Sequence, residues 1–168
     1  MKSIFSLSFV ATLILLTGCG PQSTVTKGKK DHIVSVPQDD VEMNVAIAKA
    51  NASLDEFIKA RESMGKDFHG LIKARFTEPG DNGAEHMWVE VSSVNRDNIS
   101  GILLSSPDWL KNVKYGDNVT FPKSSVSDWV YVRDGIAHGG YTMRLLRDRM
   151  TPAEQAEYDK TSDFKFEG

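Results

Sequence analysis

Between residues 68 and 132 the apolar side chains come in short runs, each closed by turn formers, and this pattern most narrows the folds open to the chain. Residues 68–76 are the first candidate strand, closed by Pro79-Gly80 and Asn82-Gly83. In residues 85–94, Met87, Val89 and Val91 alternate against His86, Trp88, Glu90 and Ser92, the period of a strand. Residues 95–98 turn the chain and residues 99–104 return it, a hairpin with a longer loop than the tightest turns use. Pro107 stops that run. Tyr115-Gly116-Asp117 is a turn, residues 118–121 and 129–132 are further short strands, and Asp134-Gly135 closes the last.

Helical spacing brackets these strands. Asp39 or Asp40 can cap a helix in which Met43, Ile47, Ala50, Leu54, Phe57 and Ile58 recur on one stripe, and Gly65 ends it. Ser53 with Glu56 has the form of a capping box, so the segment reads as one helix or as two meeting near Asn51. Further on, Thr142 suits an N-cap for residues 143–150, while Thr151-Pro152-Ala153-Glu154 starts a polar surface helix. Helix first, antiparallel strands next and helices last is an α+β order. The expectation is a small antiparallel sheet, barrel-like closure being one form of it, with the N-terminal helix packed on it and short helices at the C-terminus.

The first residues carry a different signal. Lys2 precedes an apolar stretch over residues 4–16, broken only by Ser6, Ser8 and Thr12, and too short for a spanning helix. It ends in Leu16-Thr17-Gly18-Cys19, which resembles the lipobox of bacterial lipoproteins. Cys19 is the only cysteine in the chain, so it has no disulfide partner within it. Residues 1–18 are therefore expected to be a removed signal peptide, with lipid on Cys19 holding the protein to a membrane. Gly20 in place of Asp implies, by the sorting rule of Gram-negative lipoproteins, the outer membrane facing the periplasm. Residues 19–40, with Pro21, Lys27-Gly28-Lys29-Lys30 and Pro37, read as a tether, within which 32–36 has the pattern of an edge strand. Residues 41–168 are left as a single domain.

Charge excludes some partners. The 168 residues hold 20 basic and 23 acidic side chains, a net charge of −3, and loss of Lys2 makes it one more negative. That balance argues against a nucleic-acid or anionic-lipid surface. The length suits one domain that buries its core without disulfides. No internal repeat is visible.

The ordered motifs Phe68-His69-Gly70-Leu71-Ile72-Lys73-Ala74-Arg75, Glu85-His86-Met87-Trp88-Val89, Ile99-Ser100-Gly101-Ile102, Gly116-Asp117-Asn118-Val119, Ser127-Asp128-Trp129 and Gly139-Gly140-Tyr141-Thr142 resemble the YegJ-like family of bacterial domains of unknown function. The resemblance covers roughly residues 43–149. It implies a small domain, often exported or lipid-anchored, with no established reaction, so no catalytic residue carries over. More loosely, the chain resembles small domains used as immunity proteins against contact-delivered toxins.

The candidate binding face is His86, Trp88 and Glu90, with Asp128 beside the second tryptophan of interest, Trp129. A tryptophan between an imidazole and a carboxylate offers apolar area, donors and acceptors in one patch. The competing reading places Trp88 in the core beneath the C-terminal helix near Leu145 and Leu146. Glu85 and His86 are adjacent on a strand and point to opposite faces, so they do not serve one site. Asp117 and Asp128 also suit turn and cap roles, and Trp129 suits the core. Gly139-Gly140 before a helix, near Arg144 and Arg147, suits close packing better than an anion loop, since the phosphate-loop spacing and its lysine are missing. His32, His69, His86 and His138 have no metal-ligand spacing, and no Gly-x-Ser-x-Gly elbow occurs, so no metal, cofactor or catalytic residue is assigned. The expected function is a protein-binding module anchored in the cell envelope, whose partner is another envelope protein. The alternatives are an envelope hydrolase of peptidoglycan or peptides, using His86 with Glu90 or Asp128, and an immunity protein.

Overall fold

The computed structural model describes residues 2–7, 32–37, 39–80 and 83–166. Cys19, the lipobox and most of the expected signal and tether lie outside them. The strands are β1 (Lys2–Leu7), β2 (His32–Pro37), β3 (Gly70–Phe76), β4 (Ala84–Val94), β5 (Asn98–Leu103), β6 (Asn118–Pro122), β7 (Val126–Arg133), β8 (Ile136–Gly139) and β9 (Lys165–Phe166). The helices are α1 (Val41–Ala52), α2 (Leu54–Met64), α3 (Tyr141–Asp148) and α4 (Pro152–Thr161). The fold is α+β, as expected, and the sheet is open rather than barrel-like. Its order is β2-β1-β4-β3-β7-β8-β9, with β5 on the second half of β4 and β6 on β5. All pairs are antiparallel except β1 with β4 and β8 with β9.

One segment departs from the expected plan at the N-terminus: Lys2–Leu7 is a strand inserted between β2 and the start of β4. The edge strand expected over residues 32–36 is present as β2, at the edge of the sheet.

Local chemistry explains the helix ends. The Asp40 carboxylate accepts the Met43 N–H at 3.0 Å and starts α1. The two-helix reading holds and Ser53 stands at the N-cap position of α2, but its side chain makes no cap bond there: the hydroxyl donates back to the Lys49 carbonyl at 2.8 Å, closing α1. Thr151 and Glu154 form the capping box of α4, with Pro152 at its start. Thr142 is not the cap of α3, because Gly140, at φ 66°, holds that place and Thr142 lies inside the first turn.

Both faces of the central strands are covered. On one, Ile72, Met87, Val89, Trp129 and Tyr131 pack against Ala50, Leu54 and Phe57 of α1 and α2. On the other, Trp88 and Val130 pack against Met143 of α3 and Tyr158 of α4. A third cluster of Val36, Met43 and Leu146 joins β2, α1 and α3. Arg149, just past α3, grips the Asp40 carboxylate through two bonds of 2.6 and 2.8 Å, so the ends of α1 and α3 are held together.

Candidate functional site

Strand register sets the site. Lys73 of β3 stands between Trp88 of β4 and Asp128 of β7, and Arg75 lies opposite His86. The β3–β7 register shifts between Lys73 and Ala74, leaving Ser127 as an extra residue whose hydroxyl donates to the Lys73 carbonyl at 3.2 Å.

Lys73 and Asp128 are fully buried. The Asp128 carboxylate accepts the N–H groups of Trp129 (2.8 Å), Tyr141 (3.0 Å) and Thr142 (2.8 Å) and the Thr142 hydroxyl (2.5 Å). The Lys73 ammonium donates to Thr142 Oγ1 at 3.4 Å and sits 4.6 Å from the Trp88 ring centre. Burial pulls the Lys73 pKa down to about 8, against the opposing pull of Asp128. Burial likewise raises Asp128, opposed by Lys73 and by the donors of Thr142 and Trp129. Each of those four bonds uses Asp128 as an acceptor, which suits a carboxylate and not an acid carrying its own proton. The pair thus seats the first turn of α3 on the sheet. The glycines before α3 serve the same seat: at Gly139, with φ 76°, an added Cβ would meet the Trp129 carbonyl at 2.3 Å.

A cleft of about 330 Å³ opens beside this pair, between α1 and the sheet. Arg75, His86, Ser124 and Ser125 supply polar lining, while Met43 and Ile47 supply apolar wall. His86 is 5% exposed. Burial first, then the charges of Lys73 and Arg75, lower its pKa to about 3, so the imidazole is neutral throughout the physiological range.

The four candidate residues do not form one exposed face. His86 lines the cleft, Trp88 is buried beneath α3 and α4, Glu90 is exposed, and Asp128 is buried under the first turn of α3. The alternation was read correctly, but the mixed face of β4 is covered because its strand is central to a two-sided sheet. Glu85 points the opposite way from His86 and accepts the N–H groups of Asp108, Trp109 and Leu110, fastening the loop after β5. Asp117 accepts the Lys114 N–H within its turn, and Trp129 is core, donating its indole N–H to the Ala50 carbonyl. Lys73, Arg75, Ser127 and Thr142 were missed. A lone lysine between Ile72 and Ala74, and a lone aspartate before Trp129, were the available signals for the buried pair.

The geometry disfavours acid–base hydrolysis. Glu90 is four residues along β4 from His86, roughly 13 Å in an extended strand. Asp128 has its lone pairs committed to Trp129, Tyr141 and Thr142. A histidine with its pKa near 3 is a weak general base at neutral pH. Among the described residues no group of His, Cys, Asp and Glu is placed to hold a metal ion, and no helix is long and apolar enough to cross a membrane.

Fold and site together define an α+β domain with a polar cleft lined by Arg75, His86 and Ser127, and a buried Lys73 and Asp128 on the same two strands as Arg75 and Ser127. The chain belongs to DUF2314, the family described as uncharacterized proteins conserved in bacteria, which matches residues 40–166. It is 30% identical over 116 residues to the uncharacterized protein YegJ of Escherichia coli K12, covering 69% of this chain and 74% of that one. It is 33% identical over 135 residues to a Neisseria meningitidis serogroup B protein that carries an ankyrin-repeat name, covering 76% of this chain. The match spans about half of that relative, 53% of its length. No solved structure matches.

Proposed function

We propose that the protein is a bacterial envelope lipoprotein, anchored through lipid on Cys19, whose domain binds another envelope protein through the cleft between α1 and the sheet. The observation that carries the binding reading is the cleft itself. Its volume of about 330 Å³ lies within the range of binding pockets, and its lining combines hydrogen-bonding side chains with the apolar Met43 and Ile47. The anchor rests on the lipobox-like Leu16-Thr17-Gly18-Cys19 and on Cys19 having no disulfide partner in the chain. Gly20 supports the outer membrane as the destination in a Gram-negative cell.

Ser124 is exposed and lines the cleft, so Ser124→Trp fills it without disturbing a core contact. Cross-linking of the full chain in intact cells, followed by identification of the adduct, should show one envelope partner that disappears in this variant while the thermal midpoint holds. The same adduct from the filled cleft would remove the site from consideration.

A further inference from the structure

We propose that the cleft takes a carboxylate side chain from an acidic peptide segment of the partner, with the Arg75 guanidinium as its anchor. This rests on the cleft being the binding site of the domain, and it adds what the site selects.

Among the described residues the lining contains no carboxylate, although acidic residues outnumber basic ones in the whole chain. Arg75 is exposed at the cleft and has no ion pair among the described residues, whereas Arg61, Arg144, Arg147 and Arg149 each donate to an acceptor of the fold. A guanidinium free at a concave, half-apolar wall keeps its paired donors for a ligand. The hydroxyls of Ser124 and Ser125 add neutral donors. Arg75 stands opposite the buried His86 in the strand register, and its charge, with that of Lys73, helps to keep that imidazole neutral.

Ligand charge follows from the count of cations. Among its described residues the lining offers one cation, Arg75, and the charge of the nearby Lys73 is opposed by Asp128. One guanidinium with neutral donors matches a planar monoanion through two parallel bonds, the geometry of an arginine–carboxylate pair. A phosphoryl group, with nearly twice the charge, calls for further cations. Met43 and Ile47 can take the methylenes of a Glu or Asp side chain and the adjoining peptide.

The experiment uses the full chain in detergent with a short poly-aspartate peptide, its poly-asparagine counterpart and inorganic phosphate as probes. The aspartate peptide should bind, with the asparagine peptide at least about tenfold weaker. Arg75→Gln should abolish that preference at an unchanged melting temperature, and Arg75→Lys should restore part of it. Equal binding of the two peptides, or a preference that survives Arg75→Gln, overturns the proposal, and so does phosphate binding more tightly than the aspartate peptide. If Ser124→Trp abolishes partner capture but Arg75→Gln does not, the cleft stands and the carboxylate assignment falls. If neither variant affects capture, the cleft reading falls as well.

Discussion

At the scale of single residues, the costliest element is a buried charge on Lys73. Its ammonium is out of water and is compensated by Asp128, by Thr142 and by the face of Trp88. Removing one partner of such a pair leaves the other charge buried alone. Lys73→Met should therefore cost about 3–5 kcal/mol, read from the shift of the denaturation midpoint at unchanged slope. A surface-like effect would mean that Asp128 is neutral in the fold. His86 gives a pH signature. Its folded pKa, about 3, lies below the ordinary value of 6.5, so between these the unfolded chain binds the extra proton. Stability should fall as pH drops from 6.5 toward 3, and His86→Gln should flatten that part of the profile. Trp88→Ala should lower the melting point by removing core packing, costing about 3–5 kcal/mol.

Among the elements, α1 and α2 act as one lid on the first core because Ser53 closes α1 while Leu54 and Phe57 enter the same cluster as Ala50. Leu54→Ala should cost ~2–5 kcal/mol, since Leu54 is 7% exposed and its methyl groups face that core. The seat of α3 is tighter still. At Gly139 a side chain meets both the positive φ of 76° and the Trp129 backbone, so Gly139→Ala should destabilise by more than about 1 kcal/mol in chemical denaturation. The β7–β8 hairpin shows how far local reading reaches. Asp134 and Gly135 both have positive φ, at 54° and 76°, which suits a two-residue primed turn. The dipeptide was legible as a turn, but the short strand it introduces, Ile136–Gly139, has too few residues to show a period.

Across the whole molecule, the expected signal segment and the fold meet at β1. Lys2–Leu7 pairs with β2 and with Ala84, Glu85 and His86 of β4, whereas cleavage before Cys19 would remove it. Cys19→Ala should abolish detergent partitioning of the protein recovered from cells, leaving precursor or soluble chain. Unlipidated native protein in the soluble periplasmic fraction would remove the anchor.

What the sequence determined by itself was local: the caps at Asp40 and Thr151, the alternation along β4, the opposed directions of Glu85 and His86, and the α+β order of elements. Each depends on neighbours a few residues away, through backbone geometry and short hydrogen bonds. Alternation names two faces of a strand but does not say what covers either one. Only the tertiary structure placed α3 and α4 over Trp88, turned Thr142 from an expected cap into a partner of Asp128, and set Lys73 between them. Those positions follow from long-range packing, where a buried charge persists because groups from β3, β4, β7 and α3 converge on it, and no window of sequence contains all four.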